Sequence, residues 1–217
     1  MQFQTDTGPV DIEITDLIVA GWTGRDTAAV QHHIDELAAI GVAPPSQVPL
    51  FYRTSRGLLT TATEIDVLGP DTSGEAEPVL IRHRGTLWLG LGSDHTDRQL
   101  ETHSVAASKQ ACPKPCARRL WSYDSVRDRL DDIAIRAWIE EDGQWVLYQQ
   151  GTLAMIRPLA DLLAQAPLDD GGAMLCGTFS AIGSVRAAAR FKAEMKDPER
   201  DAAISFSYEA RALPIVT

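Results

Sequence analysis

The run GEAEPVLIRHRGTLWLGLGSDHTDRQLE, from Gly74 to Glu101, carries both fold and chemistry in one stretch. Glu77 to Ile81 and Thr86 to Gly92 are apolar enough for two short strands, with Gly85 as the turn former between them. At the front, Glu75 and Glu77 stand two positions apart, and side chains two apart on a strand project to the same side. Two carboxylates pressed together in a pocket repel, so one keeps its proton unless a cation neutralises both. Asp94, at the end of the following strand, can supply a third oxygen. Three carboxylates form a hard-oxygen site suited to magnesium or manganese, with waters completing the octahedron. The glutamate pair alone also describes an exposed strand face, so the rest of the chain must decide.

Working outward, VPLFYR (48–53) and EIDVLG (64–69) predict further short strands, and residues 1–20 alternate loosely as one or two more. Thr27 to Ile40 predicts a helix, with Val30, Ile34, Leu37 and Ala38 on one face, Asp26 as cap and Gly41 as stop. Pro44, Pro45 and Pro49 make the next connection extended. Ile133 to Gln149 predicts a hairpin turning at Asp142-Gly143. Helices are expected over Leu159 to Ala166 and over Val185 to Met195 behind Ser184, and AISFSYEA (203–210) alternates again. The pattern is one α+β domain dominated by short strands.

The 217 residues are 44% apolar, enough for one sizeable core. Twenty Lys plus Arg against thirty Asp plus Glu give a net charge of −10, which repels polyanions and disfavours nucleic-acid binding. Three cysteines give no disulfide framework and suit a reducing compartment. The start is acidic without a signal core, and Leu17 to Trp22 falls far short of the ~20 residues a spanning helix needs. The expectation is a cytoplasmic protein with no membrane partner.

Two more segments bear on chemistry. Lys109, in SKQACP (108–113), could pair with a substrate carboxylate beside a metal, although lysine is ordinarily solvent-exposed. In Cys176-Gly177-Thr178 the glycine permits close backbone approach and the hydroxyl can hold a carboxylate; otherwise this is a strand-to-turn join. His95 reads either as a partner of a metal ligand or as a surface residue. Cys112 and Cys116 flank Pro113-Lys114-Pro115, which reads as a rigid loop rather than a zinc site, since no second pair supports one.

In this order the elements resemble the fumarylacetoacetate hydrolase superfamily over roughly residues 20–185. The family's metal-binding E-x-E is similar to Glu75-Ala76-Glu77, and its D-x-T-x-R-D-x-Q to Asp94 through Glu101. Its K-x-x-x-x-C-P is similar to Lys109 through Pro113, with fewer residues before the cysteine. Its N-G turn followed by Q…T-x-x-M-I resembles Asp142-Gly143, Gln149 or Gln150, then Thr152 to Ile156. Its G-T-P-x-G resembles the run from Gly177 to Gly183, H-x-x-E resembles His33 to Glu36, and F-x-K resembles Phe51-Tyr52-Arg53. Departures are Arg53 for lysine, Phe179 for proline, Glu101 for glutamine, and a spacing of 17 from Glu77 to Asp94 that implies a trimmed helix.

The resemblance implies a strand-rich mixed β-roll or barrel with a few peripheral helices, one catalytic domain over 1–217. Residues 1–45 would carry N-terminal strands and a lid helix, and 46–217 the metal-binding core. It implies a divalent-metal hydrolase acting on a 2-oxo or 1,3-dicarbonyl carboxylic acid. The alternatives are a lyase (decarboxylase or hydratase) on the same site, or a binding module without turnover. Glu75, Glu77 and Asp94 would hold Mg²⁺ or Mn²⁺, and Lys109 would neutralise charge on the substrate oxygen. His33 with Glu36 would activate water, and Arg53, Arg98, Gly177 and Thr178 would grip the substrate. Family habit implies a homodimer.

Overall fold

Neighbouring positions of the strand Ala76–His83 feed two different cores: Leu80 enters one, Val79 and Ile81 the other. The strands Asp16–Gly21 and Gly172–Leu175 divide the same way, with Ile18 and Met174 on the first side and Leu17, Val19, Ala173 and Leu175 on the second. A strand buried on both faces needs a nearly continuous apolar run, which is what these segments supply. In this computed structural model, residues 1–39 and 44–216 are described, apart from the side chains of residues 33 and 37.

These strands form the centre of a six-stranded sheet in the order Trp121–Ser122, Thr86–Ser93, Ala76–His83, Gly172–Leu175, Asp16–Gly21, Leu50–Thr54. Gly172–Leu175 runs antiparallel to Ala76–His83 and parallel to Asp16–Gly21. A five-stranded sheet follows the order Gln144–Thr152, Ala134–Glu141, Arg190–Asp197, Ala202–Leu213, Glu64–Leu68. Ile135, Ala137, Ile139, Phe191, Met195 and Ile204 of this second sheet share one core with Ile18, Leu80, Leu89 and Met174. Each such side chain contributes roughly 1.5–3 kcal/mol by leaving water. The other face of the first sheet is covered by Phe3, Ile12, Ile14, Leu59 and Leu120.

The helices are few and peripheral: α1 (Thr27–Ala39), α2 (Arg98–Glu101), α3 (Val105–Ala111) and α4 (Leu159–Gln165). Asp26 caps α1, its Oδ1 accepting from the N–H groups of Ala28 and Ala29 at 3.0 and 3.1 Å. The expected stop, Ile40-Gly41, lies outside the described residues. Asp142 and Gly143 turn the expected hairpin, both with positive φ (49° and 76°), as a type I′ turn requires.

The helix expected over Val185 to Met195 does not form. Arg190–Asp197 is a strand paired on both sides, to Ala134–Glu141 and to Ala202–Leu213. Phe191, Ala193 and Met195 are its buried face, so a period of two with partners on both edges overrides the helix preference of the preceding alanines. Between Glu77 and Asp94 the shortening is complete: the two strands join through a tight turn at Arg84-Gly85 (φ 50° and 78°). Among the described residues no helix is long and apolar enough to cross a membrane.

Candidate metal centre

The antiparallel register brings the acidic residues together. Ala76 pairs with Ser93 and Glu77 with Gly92, so Asp94 comes level with Glu75, whose carbonyl accepts the Asp94 N–H at 3.0 Å. One carboxylate oxygen from each of Glu75, Glu77 and Asp94 lies within 4.8 Å of the others. Glu77 and Asp94 are buried; Glu75 is partly so.

The neighbouring strand fixes Glu77 from its far end. Just beyond Leu175 the chain turns at Gly177 (φ +92°), whose N–H donates to Glu77 Oε2 at 2.8 Å. A Cβ there would sit 1.7 Å from Thr23 Oγ1, so only glycine permits this approach. Thr178 Oγ1 donates to the Ala76 carbonyl at 2.8 Å and accepts from Gln149 Nε2 at 2.7 Å. Gln149 is the buried glutamine of the 149–150 pair, and its Oε1 takes the Ala76 N–H at 2.9 Å.

Two lysines face Asp94. Lys109, on α3, donates to Oδ2, and Lys114 Nζ lies 3.1 Å from Oδ1. Lys114 is fully buried and directs its hydrogen bonds to the carbonyls of His95 and Cys112, at 2.6 and 3.0 Å. Burial pushes the Asp94 carboxyl upward, but the two ammonium groups outweigh it and hold Asp94 well below the usual carboxylate range. Burial pushes Glu75 up, with Arg98 and Lys109 only partly offsetting it. Burial also raises Glu77 well above the ordinary value, and the charge of Asp94 adds to the rise. Burial lowers Lys109, yet Asp94, Glu75 and Glu77 reverse the balance and keep it protonated. His95, buried and close to Lys114 and Arg98, is pushed down to about 3 and is neutral, its Nδ1 2.8 Å from Tyr208 Oη.

This donor set fits a hard divalent cation. All three donors are carboxylate oxygens, and Asp94 Oδ1 is buried without an accepted hydrogen bond. With Glu101, four carboxylates face the cationic groups of Arg98, Lys109 and Lys114, so with all four ionised one negative charge is uncompensated. Burial is the main reason that Glu75 and Glu77 are raised, and the charge of Asp94 adds to it.

Glu75, Glu77 and Lys109 line a cavity of about 710 Å³, walled also by Trp22, Tyr52, Phe179 and the first turn of α1. Lys109 Nζ lies 5.7 Å from the centre of the Tyr52 ring.

Several expected roles are placed differently. Arg53 does not line the cavity; it pairs with Asp16 in solvent, because on the same strand Tyr52 points inward and its neighbour outward. Arg98 lines the cavity but its guanidinium is committed: Nε to Ser73 Oγ at 2.7 Å, Nη1 to Glu101 at 2.9 Å, and Nη2 3.4 Å from Glu75. The Gly177 N–H serves Glu77. Glu36 forms an exposed ion pair with His32 at 3.3 Å and is not among the cavity-lining residues; the His33 side chain lies outside the described residues. Cys112 and Cys116 are free, buried thiols pushed by burial to about 11 and about 12. Lys114 escaped the sequence reading. Its one signal is a lysine set between two prolines and two cysteines.

The strand-rich fold matches structures of the fumarylacetoacetate hydrolase type. The structure is similar to that of Cg1458 with inhibitor (TM-score 0.64, 11% identity, 93% of this chain and 78% of that chain). It is also similar to 2-keto-3-deoxy-D-arabinonate dehydratase complexed with magnesium and 2,5-dioxopentanoate (0.63, 14%, 95% and 76%). A third is 5-carboxymethyl-2-hydroxymuconate delta-isomerase from Mycobacterium smegmatis (0.61, 12%, 95% and 81%). At these identities the likeness is one of fold. By sequence the chain belongs to the DUF2848 family, described as a protein of unknown function, whose model matches residues 20–208. No curated protein sequence matches it.

Proposed function

We propose that this protein is a divalent-metal-dependent lyase acting on a 2-oxo carboxylic acid, with Mg²⁺ or Mn²⁺ held by Glu75, Glu77 and Asp94. The observation that carries the reading is the convergence of those three carboxylates within 4.8 Å beside the protonated Lys109 at a cavity. The bound ion would supply Lewis-acid stabilisation of negative charge on the oxo group. Lys109 Nζ would hold a full positive charge beside that oxygen, and Asp94 keeps it there by raising its proton affinity. Gly177 and Thr178 act on the protein side: the first orients Glu77, the second ties the Glu77 strand to Gln149.

Lyase chemistry is favoured over the hydrolase first expected. Two proteins of similar fold are by name a dehydratase and a delta-isomerase, reactions that move a proton next to a carbonyl without adding water across a C–C bond.

The test is a panel of 2-oxo acids bearing a hydroxyl, acylpyruvates and oxaloacetate, each with Mg²⁺, with products identified by mass. Loss of water or of carbon dioxide supports the lyase, fragmentation of acylpyruvates by water selects the hydrolase, and no product from any of them counts against an enzyme. Lys109→Met should abolish turnover while still binding Mn²⁺.

A further inference from the structure

We propose that the cavity selects an oxo-acid with a single carboxylate and an uncharged, apolar tail, and rejects dicarboxylates of the same length. This rests on the metal-centre reading above. Among the described residues, the cationic side chains lining the cavity are Arg98 and Lys109, and both are engaged by carboxylates of the cluster. Four of the five Arg98 N–H groups have partners, since its Nε and Nη2 also reach Ser73. Arg186, next in sequence to the lining residue Val185, is held by Glu141 and by the carbonyls of Ile182 and Ser184.

What remains of the wall is uncharged or acidic. Val30, Val105, Met155, Phe179 and Val185 line it together with the α1 cap Asp26 and with Glu101. Met155 and Val185 are 50% and 49% exposed, an apolar rim that a ligand's tail would cover. A carboxylate at the end of that tail would lose water, find no free cation, and face Asp26 and Glu101. An alkyl tail can cover Val30, Val105, Met155, Phe179 and Val185 and gains from that contact. The head group has the opposite requirement: the cluster's one excess negative charge becomes one excess positive charge on taking up a divalent ion, which a single substrate carboxylate neutralises.

The experiment is calorimetric titration of the Mn²⁺-loaded full chain with 2-oxohexanoate and with 2-oxoadipate, which share chain length and differ in the terminal group. 2-Oxohexanoate should bind at least about tenfold more tightly. Val185→Lys, at a half-exposed position outside the cluster, should bring 2-oxoadipate to within about twofold while leaving Mn²⁺ affinity unchanged. Equal or tighter binding of 2-oxoadipate by the wild type overturns this inference and leaves the oxo-acid reading standing. If Mn²⁺ binds and neither acid does, the oxo-acid reading falls and this one with it.

Discussion

Replacing Glu77 by glutamine keeps the shape of the side chain and an acceptor for the Gly177 N–H, while deleting one negative charge from a buried trio. With the oxygens no more than 4.8 Å apart and an effective dielectric near 20, each like-charge pair costs about 3.5 kcal/mol. The wild type avoids part of that cost by holding a proton on Glu77, so the metal-free variant should gain a net ~1–2 kcal/mol, or about 2–8 °C in melting temperature. The pH dependence follows from the same raised proton affinity. The native state keeps a proton that the unfolded chain releases near its ordinary pKa, so this contribution is intact below about pH 4 and is lost as pH rises through the raised value. The advantage of Glu77→Gln over wild type should therefore widen from about pH 5 to about pH 8. Magnesium should invert the ranking. At a concentration near one hundred times the wild-type Kd the wild type gains about 2.7 kcal/mol, whereas a variant weakened about a hundredfold gains only about 0.4 kcal/mol. Thermal melts in chelator and in excess Mg²⁺ read both effects. A variant less stable than wild type in chelator, yet with the full magnesium shift, would refute the assignment and make Glu77 a structural acid.

Lys114→Met should cost about 3 kcal/mol in urea unfolding, since it leaves Asp94 with one ammonium and the His95 and Cys112 carbonyls without a donor. An unchanged midpoint would show that the buried ammonium is dispensable. Gly177→Ala should lose at least about 2 kcal/mol and weaken Mn²⁺ binding together, because its Cβ would collide with Thr23 and move the N–H that orients Glu77. Mn²⁺ affinity equal to wild type would count against the orienting role.

Local signals carried much of this architecture. The Asp142-Gly143 turn was legible because few residue pairs tolerate two successive positive φ angles. The pairing of Glu75 and Glu77 followed from the period of a strand, and Asp94 from the length of the next one. Arg190–Asp197 was misread because alanine-rich Val185 to Ala189 favours a helix locally, while one of the two strands that hold it lies some fifty residues upstream. Lys114 and the commitments of Arg98 depend on which groups surround a cation, and a linear pattern does not encode that. Arg53 is subtler: the alternation that put Tyr52 into the cavity already required Arg53 to face away.

The strand Gly172–Leu175 is inserted between Ala76–His83 and Asp16–Gly21, segments made long before it. The three carboxylates and Lys109 have all left the ribosome while the amide that steadies Glu77 is still unsynthesised. Capture of the proposed ion in working geometry would thus be a late event in the life of the nascent chain, gated by closure of a long loop. Conversely, an ion that begins to escape would be an early warning that this keystone strand has come loose.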